Sequence, residues 1–240
     1  PECPLIARAN GKYGYYKQDE GWRMIKNGLE FLIFGTGPVN STGVEAGAFI
    51  NPLDQTKLAY IQAFFVPSIY MNSDTIGVIS NDYGMTITTV MTKPKSRGKI
   101  TLKSSNPKDM PLIKLNLLKH PDDLKMMLAG QKFFLRALQE GALGAKVKEI
   151  ILPNIKGLDD DKLTDHCRNF VRTNYHPSGT AKMGADNDEM AVLDSKMRVR
   201  GIENLRVSDL SAVPNINSGN TAATAMMLGL RCGDIISNTQ

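Results

Sequence analysis

Several things are scarce in this chain of 240 residues, and each scarcity closes a class of function. There are three cysteines, Cys3, Cys167 and Cys232, far apart and odd in number. No Cys-x-x-Cys occurs, so neither a zinc ribbon nor a redox dithiol is indicated. The adjacent pair His166–Cys167 lacks further spaced ligands and reads as helix surface beside a buried thiol, so no metal site is expected. No apolar run approaches the length of a membrane span. Low-complexity segments are missing too. Basic residues exceed acidic ones by only five, and runs such as "KPKSRGK" (Lys93 to Lys99) have no aromatics between them, which argues against nucleic-acid binding. No G-x-G-x-x-G is found either. The "GTG" at Gly35–Gly37 would put its third glycine on Asn40, and Pro38 interrupts it, so it reads as a structured loop and not as a phosphate cradle. The first residues, "PECPLIARANGKYGYY", have neither an initiator Met nor a signal segment, which suggests a chain that begins mid-protein.

What is present is an ordinary share of apolar residues in readable periods. Residues 1–57 are rich in Gly, Pro and Asn and are expected to be a loop-rich leading segment. Strand signals then dominate. "LAYIQAFFVPSIY" is aromatic and β-branched, and Met85, Ile87, Thr89 and Met91 alternate with Thr86, Thr88, Val90 and Thr92. "RGKITLKSS" and "PLIKLNLL" continue the alternation, predicting successive strands of one antiparallel sheet with one covered face. A helix is predicted from Pro121, with Asp122 and Asp123 in its first turn. Its apolar stripe is Leu124, Met127, Leu128, Leu135 and Leu138, and its stop is near Gly141. A second helix is expected from about Asp159 to Arg172. A third should run from Thr221 to about Ser237, with Ala223, Met226, Met227 and Leu230 at helical spacing. Strands followed by helices make an α+β pattern, with a substrate-binding sheet-and-helix portion over 58–174 and a distinct carboxy-terminal portion over 175–240.

That last portion carries the chemistry. His176, one of three histidines, stands on a turn fixed by Pro177. In "LRVSDLSAVPNINSGNTAATAMMLG" a short strand leads to Asp209, and "SGNT" resembles a helix start that Asn220 could cap while Gly219 admits a close approach. Such a start presents N–H groups and a positive dipole end to negative charge. Singly, each residue also has a plain structural explanation: a hydrogen-bonded loop histidine, a turn cap, a helix cap.

Together, "YHPSGTAKMG", "AVLDSKMRVRGIENLRVSDLSAVP" and "SGNTAATAMMLG" closely resemble the carboxy-terminal part of the glucose–methanol–choline (GMC) oxidoreductases, FAD-dependent alcohol oxidases and dehydrogenases. The resemblance runs from about Gly28 onward, through "GPVNSTGVEAGAFINP" and "KPKSRGKITLKSSNPKDMPLIKLNLL". It implies that His176 is the active-site histidine facing the flavin, and that Asn220 stands opposite it and positions the substrate. Asp209 and Leu210 would belong to the flavin-contacting segment, and Thr221 and Ala222 to the helix start at the pyrimidine end of the flavin. Imidazole, with an ordinary pKa of about 6.5, suits removal of an alcohol proton. Ala181 departs from the cysteine many relatives have there. The larger departure is the lack of the family's Rossmann-like, Gly-rich half. The expected partners are therefore a small-molecule alcohol and an amino-terminal FAD-binding half, as a separate or cleaved chain. Rival readings are a hydroxynitrile-lyase-like relative and a non-catalytic chain that keeps the fold.

Overall fold

A computed structural model describes residues 1–70, 82–155 and 157–238. In chain order, β1 (Glu2–Ala9), α1 (Gly21–Phe34), β2 (Ala46–Ile50), β3 (Ile61–Val66) and β4 (Gly84–Met91) come first. β5 (Lys99–Thr101) and β6 (Leu112–Lys114) precede α2 (Pro121–Gln139), α3 (Gly141–Gly144), β7 (Val147–Leu152) and α4 (Asp160–Phe170), and α5 (Ala222–Ser237) comes last. The chain divides into two compact units, one of residues 1–91 and 120–172, the other of 92–119 and 173–240.

The first unit is built on a five-stranded sheet of order β2-β3-β4-β1-β7, antiparallel throughout. β1 lies in its interior, paired to β4 with Leu5 opposite Ile87 and to β7 with Ala7 opposite Ile150. This corrects the loop-rich reading of residues 1–57. Pro4, which lacks an N–H, ordinarily argues against an interior strand. Here Pro4 pairs with Thr88, and its carbonyl accepts a 2.9 Å hydrogen bond from Nε2 of His166 on α4. α1 falls within the same stretch and was likewise missed.

β4 is buried at every position, so the expectation of one covered face is also corrected. α2 covers one side. On the other, the hydroxyl of Thr86 donates to Ser68 O and accepts from Tyr70 N, both at 2.9 Å, so the segment after β3 satisfies a threonine that the alternation assigned to water. β5 and β6 do pair, with Ile100 opposite Ile113, but as a separate two-stranded sheet in the second unit.

α2 begins at Pro121 behind the N-cap His120, whose Nδ1 accepts from Asp122 N at 3.2 Å. It buries Met127, Gln131, Phe134, Leu135 and Leu138, with Leu124 and Leu128 at the half-buried margin of the expected stripe. Each large apolar side chain so buried stabilises by about 1.5–3 kcal/mol. Gly130 permits the close packing: a Cβ there would lie 3.0 Å from Thr89 Cγ2. Gln131 Nε2 donates 2.9 Å to Cys3 O, a buried polar link between helix and sheet.

α4 starts where its carboxylates predicted, with Asp159 accepting from Lys162 N at 3.1 Å, and ends two residues short of Arg172. Leu163, His166 and Cys167 form its buried face. His166 is thus a core residue, 4% exposed, and its reading as helix surface is corrected. α5 is also turned differently from the expected stripe. Leu228 and Cys232 face inward and pack with Met197, Met183, Val213 and Ile235, while Met226, Met227 and Leu230 are exposed.

Candidate functional site

All six residues singled out from the sequence, His176, Asp209, Leu210, Asn220, Thr221 and Ala222, fall in the second unit. Three segments carry them. In the first, Thr173 Oγ1 accepts from Tyr175 N at 3.1 Å, and Tyr175 adopts left-handed backbone, φ +56°. A non-glycine residue held there is strained, and such strain concentrates where a side chain has to be aimed. The next residue is His176, half-buried, with Nδ1 3.3 Å from Asn174 Nδ2. Beyond Pro177 the turn closes on Gly179, at φ +78°, where a Cβ would lie 3.1 Å from Val213 O. Glycine is needed at that position for both reasons.

The His segment then runs along the second one. Gly179 N donates to Leu210 O at 3.0 Å, Ala181 N to Ser211 O at 2.9 Å, and Met183 N to Ala212 O at 2.8 Å. Ala181 therefore contributes through its backbone, and the alanine at this position leaves the pairing intact. Asp209 caps a single 3-10 turn, Leu210–Ala212. Its Oδ1 accepts from Ser211 Oγ at 2.5 Å and Ser211 N at 2.8 Å. The Ser211 hydroxyl, then its N–H, holds the Asp209 carboxyl below the usual carboxylate range.

The third segment is the start of α5. Ser208 Oγ donates to Leu228 O at 2.9 Å, tying the Asp209 segment to the helix. Asn217 Nδ2 donates to Asn220 O at 3.0 Å and Gly219 O at 3.2 Å, which pins the loop ahead of it. Thr221, 3% exposed, is the N-cap residue, and its own side chain makes no capping hydrogen bond. Asn220, exposed, stands one residue ahead of that N-cap position. No acidic side chain lies in the first turn of α5. The leading N–H groups of a helix have no acceptor within the helix itself. A Cβ on Gly219 would meet nothing within 4 Å, so the approach is open. These features fit the carbonyl edge of a flat, electron-accepting ring such as a flavin.

Sequence reasoning missed two residues here, Asn174 and Asn217. An amide two residues before a histidine was the available signal for the first. Asn174 pairs with Nδ1 of His176, so the way its amide is turned bears on the tautomer of the ring. If Nδ2 donates to Nδ1, the neutral ring carries its proton on Nε2 and is a donor there. With the amide turned over, Oδ1 accepts Nδ1–H and Nε2 becomes a base. Two surface grooves, of about 830 Å³ beside α4 and β7 and about 1080 Å³ around Arg198–Arg206, include none of the six candidates. Among the described residues no cluster of His, Cys, Asp or Glu could hold a metal ion.

The family model for GMC oxidoreductases matches residues 94–229, more than half of the chain and a span that includes all six candidates. The chain belongs to the GMC oxidoreductases. Among curated GMC relatives, it is 36% identical over 208 residues to an alcohol dehydrogenase [acceptor] of Pseudomonas putida, covering 87% of this chain and 37% of that protein. It is 33% identical over 221 residues to an oxygen-dependent choline dehydrogenase of Escherichia coli, covering 92% of this chain and 39% of the relative. The chain thus spans less than two fifths of the length of these relatives. Among solved structures, a formate oxidase of Aspergillus oryzae RIB40 shares the fold, with a TM-score of 0.81 at 22% identity, covering 100% of this chain and 46% of the other. An FAD-dependent oxidoreductase of Chaetomium thermophilum does so with a TM-score of 0.74 at 14% identity, covering 99% and 47%. GMC oxidoreductases are flavoproteins, and FAD is their cofactor.

Proposed function

We propose that this chain supplies the base and part of the flavin pocket of an enzyme that oxidises an alcohol to a carbonyl. The observation that carries the reading is the hydrogen-bonded junction of the His176 turn with the Leu210–Ala212 turn, in a chain belonging to a flavin-dependent family. FAD, when bound, accepts the hydride that leaves the alcohol carbon. His176 takes the hydroxyl proton at Nε2, with the Asn174 amide turned over so that Oδ1 in place of Nδ2 holds Nδ1–H and the lone pair is available. Asn220 donates from its amide to the alcohol oxygen without competing for the proton. The backbone N–H groups at the start of α5, about Thr221 and Ala222, serve the pyrimidine end of the ring and stabilise negative charge there. Asp209 contributes mainly by fixing the turn, and Leu210 by its backbone and apolar side chain.

The phosphate cradle is a part we assign to the FAD-binding portion that GMC relatives carry outside the matched region, whether joined to this chain or separate from it. The names of the relatives support an alcohol as substrate. The test is His176→Ala in the complete flavoenzyme. Anaerobic flavin reduction by the alcohol should slow by about 10²–10⁴-fold, the span of a lost acid–base group, with flavin content unchanged. A rate within about threefold of the unaltered enzyme would remove His176 from the chemistry. Failure of any alcohol to bleach the flavin under nitrogen would favour a lyase or a non-catalytic chain.

A further inference from the structure

The positive charge of this chain is concentrated in one stretch. Residues 92–119 hold eight basic side chains and one acidic one, +7 in all, while the other 212 residues together carry −2. All eight basic residues are exposed. The stretch contains the ribbon of β5 and β6 and belongs wholly to the second unit. Its one carboxylate, Asp109, is taken up within the turn at the ribbon's tip, where Oδ2 accepts from Ser104 Oγ at 2.7 Å. Lys93, Lys99, Lys103, Lys108, Lys114 and Lys119 have no ion pair among the described residues. The register also places Lys99 directly opposite Lys114. Like charges so placed oppose the pairing of their strands. Ile100 opposite Ile113 favours that pairing, and Asn116 Nδ2 ties the strand ends by donating to Arg97 O at 3.0 Å. An anion lying against the two lysines would relieve a repulsion that the chain itself leaves in place.

We infer that the ribbon of β5 and β6 docks on the headgroup layer of an anionic phospholipid bilayer. Charge complementarity sets the sign of the partner, and the side chains among the charges set its kind. No aromatic residue occurs from 92 to 119, so nucleic-acid bases would find nothing to stack on. Seven of the eight cations are lysines, which are depleted in protein interfaces, where arginine and aromatic anchors lead. Burial under another piece of polypeptide would also desolvate ammonium groups at a cost unless each met a carboxylate. A headgroup layer keeps them hydrated. A compact charge on a long flexible stem suits a diffuse field of phosphates that imposes no fixed geometry. Leu102 and Met110, on the connection between the two strands, are 85% and 76% exposed and stand ready to enter the boundary beside Lys103 and Lys108. No described helix is long and apolar enough to cross a membrane, so this is attachment to a surface and not spanning. The inference is independent of the alcohol chemistry.

The experiment is flotation of the complete flavoenzyme with vesicles of phosphatidylcholine and phosphatidylglycerol in equal amounts. The enzyme should float with these vesicles and stay behind with pure phosphatidylcholine. Salt at about 1 M, which shortens the screening length to about 3 Å, should release it. Each neutralised lysine should weaken partition about fivefold, so Lys103→Gln combined with Lys108→Gln should lower it about 25-fold, with flavin content and turnover in solution unchanged. Lys12→Gln combined with Lys26→Gln makes the same change of net charge outside the ribbon, at exposed positions, and should leave partition within about twofold. Absence of flotation would overturn the inference. Equal losses from the two pairs would overturn it as well, since net charge alone would then be sensed. Release of flavin by the Lys103 and Lys108 pair would assign the ribbon to the FAD-binding portion, and retention by duplex DNA in place of vesicles would assign it to nucleic acid; either result overturns the inference.

Discussion

Lowering the pH should weaken this protein through one core histidine that takes no part in the proposed chemistry. His166 is buried between α4 and β1, with Nε2–H donated to Pro4 O at 2.9 Å and Cys3 Sγ 3.4 Å away. Its Nδ1 is buried without a hydrogen-bond partner. Burial opposes the charged ring more than the Pro4 carbonyl favours it, so the pKa falls from 6.5 to about 4. The native state therefore keeps the ring neutral where an unfolded chain would protonate it. Between about pH 6.5 and pH 4 the unfolded state binds the extra proton, so stability is full above that window and is lost as pH falls through it. At ~1.4 kcal/mol per pH unit the whole depression is worth about 3 kcal/mol, and some 2 kcal/mol of it should be gone by about pH 5. Other groups titrate too, among them the depressed carboxyls of Asp188 and Asp194. The measurement is therefore a difference. His166→Gln retains a donor for Pro4 O and removes the titration. Denaturant unfolding of both proteins at pH 7.5 and pH 5 should show the unaltered enzyme losing about 2 kcal/mol more than the variant. Equal losses would mean that His166 is protonated at no cost, and the burial argument would fail.

Two further outcomes follow from the candidate site. Asn220→Ala should slow flavin reduction by about tenfold or more, the worth of a hydrogen bond to a charged oxygen. A melting loss at full turnover would make Asn220 a structural residue. Residues 1–240 purified alone should be colourless and retain no flavin through gel filtration, since a dinucleotide depends on a pyrophosphate cradle. Stoichiometric flavin on residues 1–240 would show that this chain holds the cofactor without help.

The elements that announced themselves in the sequence have local causes. Pro121 with two aspartates behind it, and Asp159 ahead of Asp160 and Asp161, are helix starts made by neighbours in the chain, and both appear where expected. The His176–Pro177 turn and the "SGNT" helix start were legible for the same reason. What was lost depended on distant partners. β1 has a proline in a strand with neighbours on both sides, a pattern that local rules exclude. It is held in the sheet by β4, β7 and a histidine some 160 positions away. α1 begins at a glycine without a side-chain cap and contains Asn27–Gly28, a dipeptide that reads as a turn. In α5 the spacing gave the helix but not its orientation, because both sides carry apolar residues. The side with Leu228 and Cys232 faces inward because Met183, Met197 and Val213 lie there. Likewise, no single stretch could reveal that backbone hydrogen bonds join the His176 segment to Leu210, Ser211 and Ala212.

The exposure of the candidate residues bears on how the proposed reaction would work. His176 is half-buried, and Asn220, Ala222 and Asp209 are exposed. Hydride transfer with an imidazole base benefits from a dry, preorganised site, since water competes for the proton and weakens each hydrogen bond the site makes. On the proposed reading the backbone hydrogen bonds order the segments, while the exclusion of water is still to be met. The Asp209 carboxylate is satisfied by Ser211, and Gly179 and Ala181 are hydrogen-bonded to the neighbouring turn, so ordering the site requires nothing further from outside. Excluding water does require it. The outward residues of α5, Met226, Met227 and Leu230, follow the helix start directly and form an apolar border that a covering body could bury. On the proposed reading that body is the FAD-binding portion, and its arrival would dry the site and bring the cofactor in a single step. Covering that border should therefore change rate far more than it changes the positions of His176 and Asn220, which their own hydrogen-bonded segments already hold.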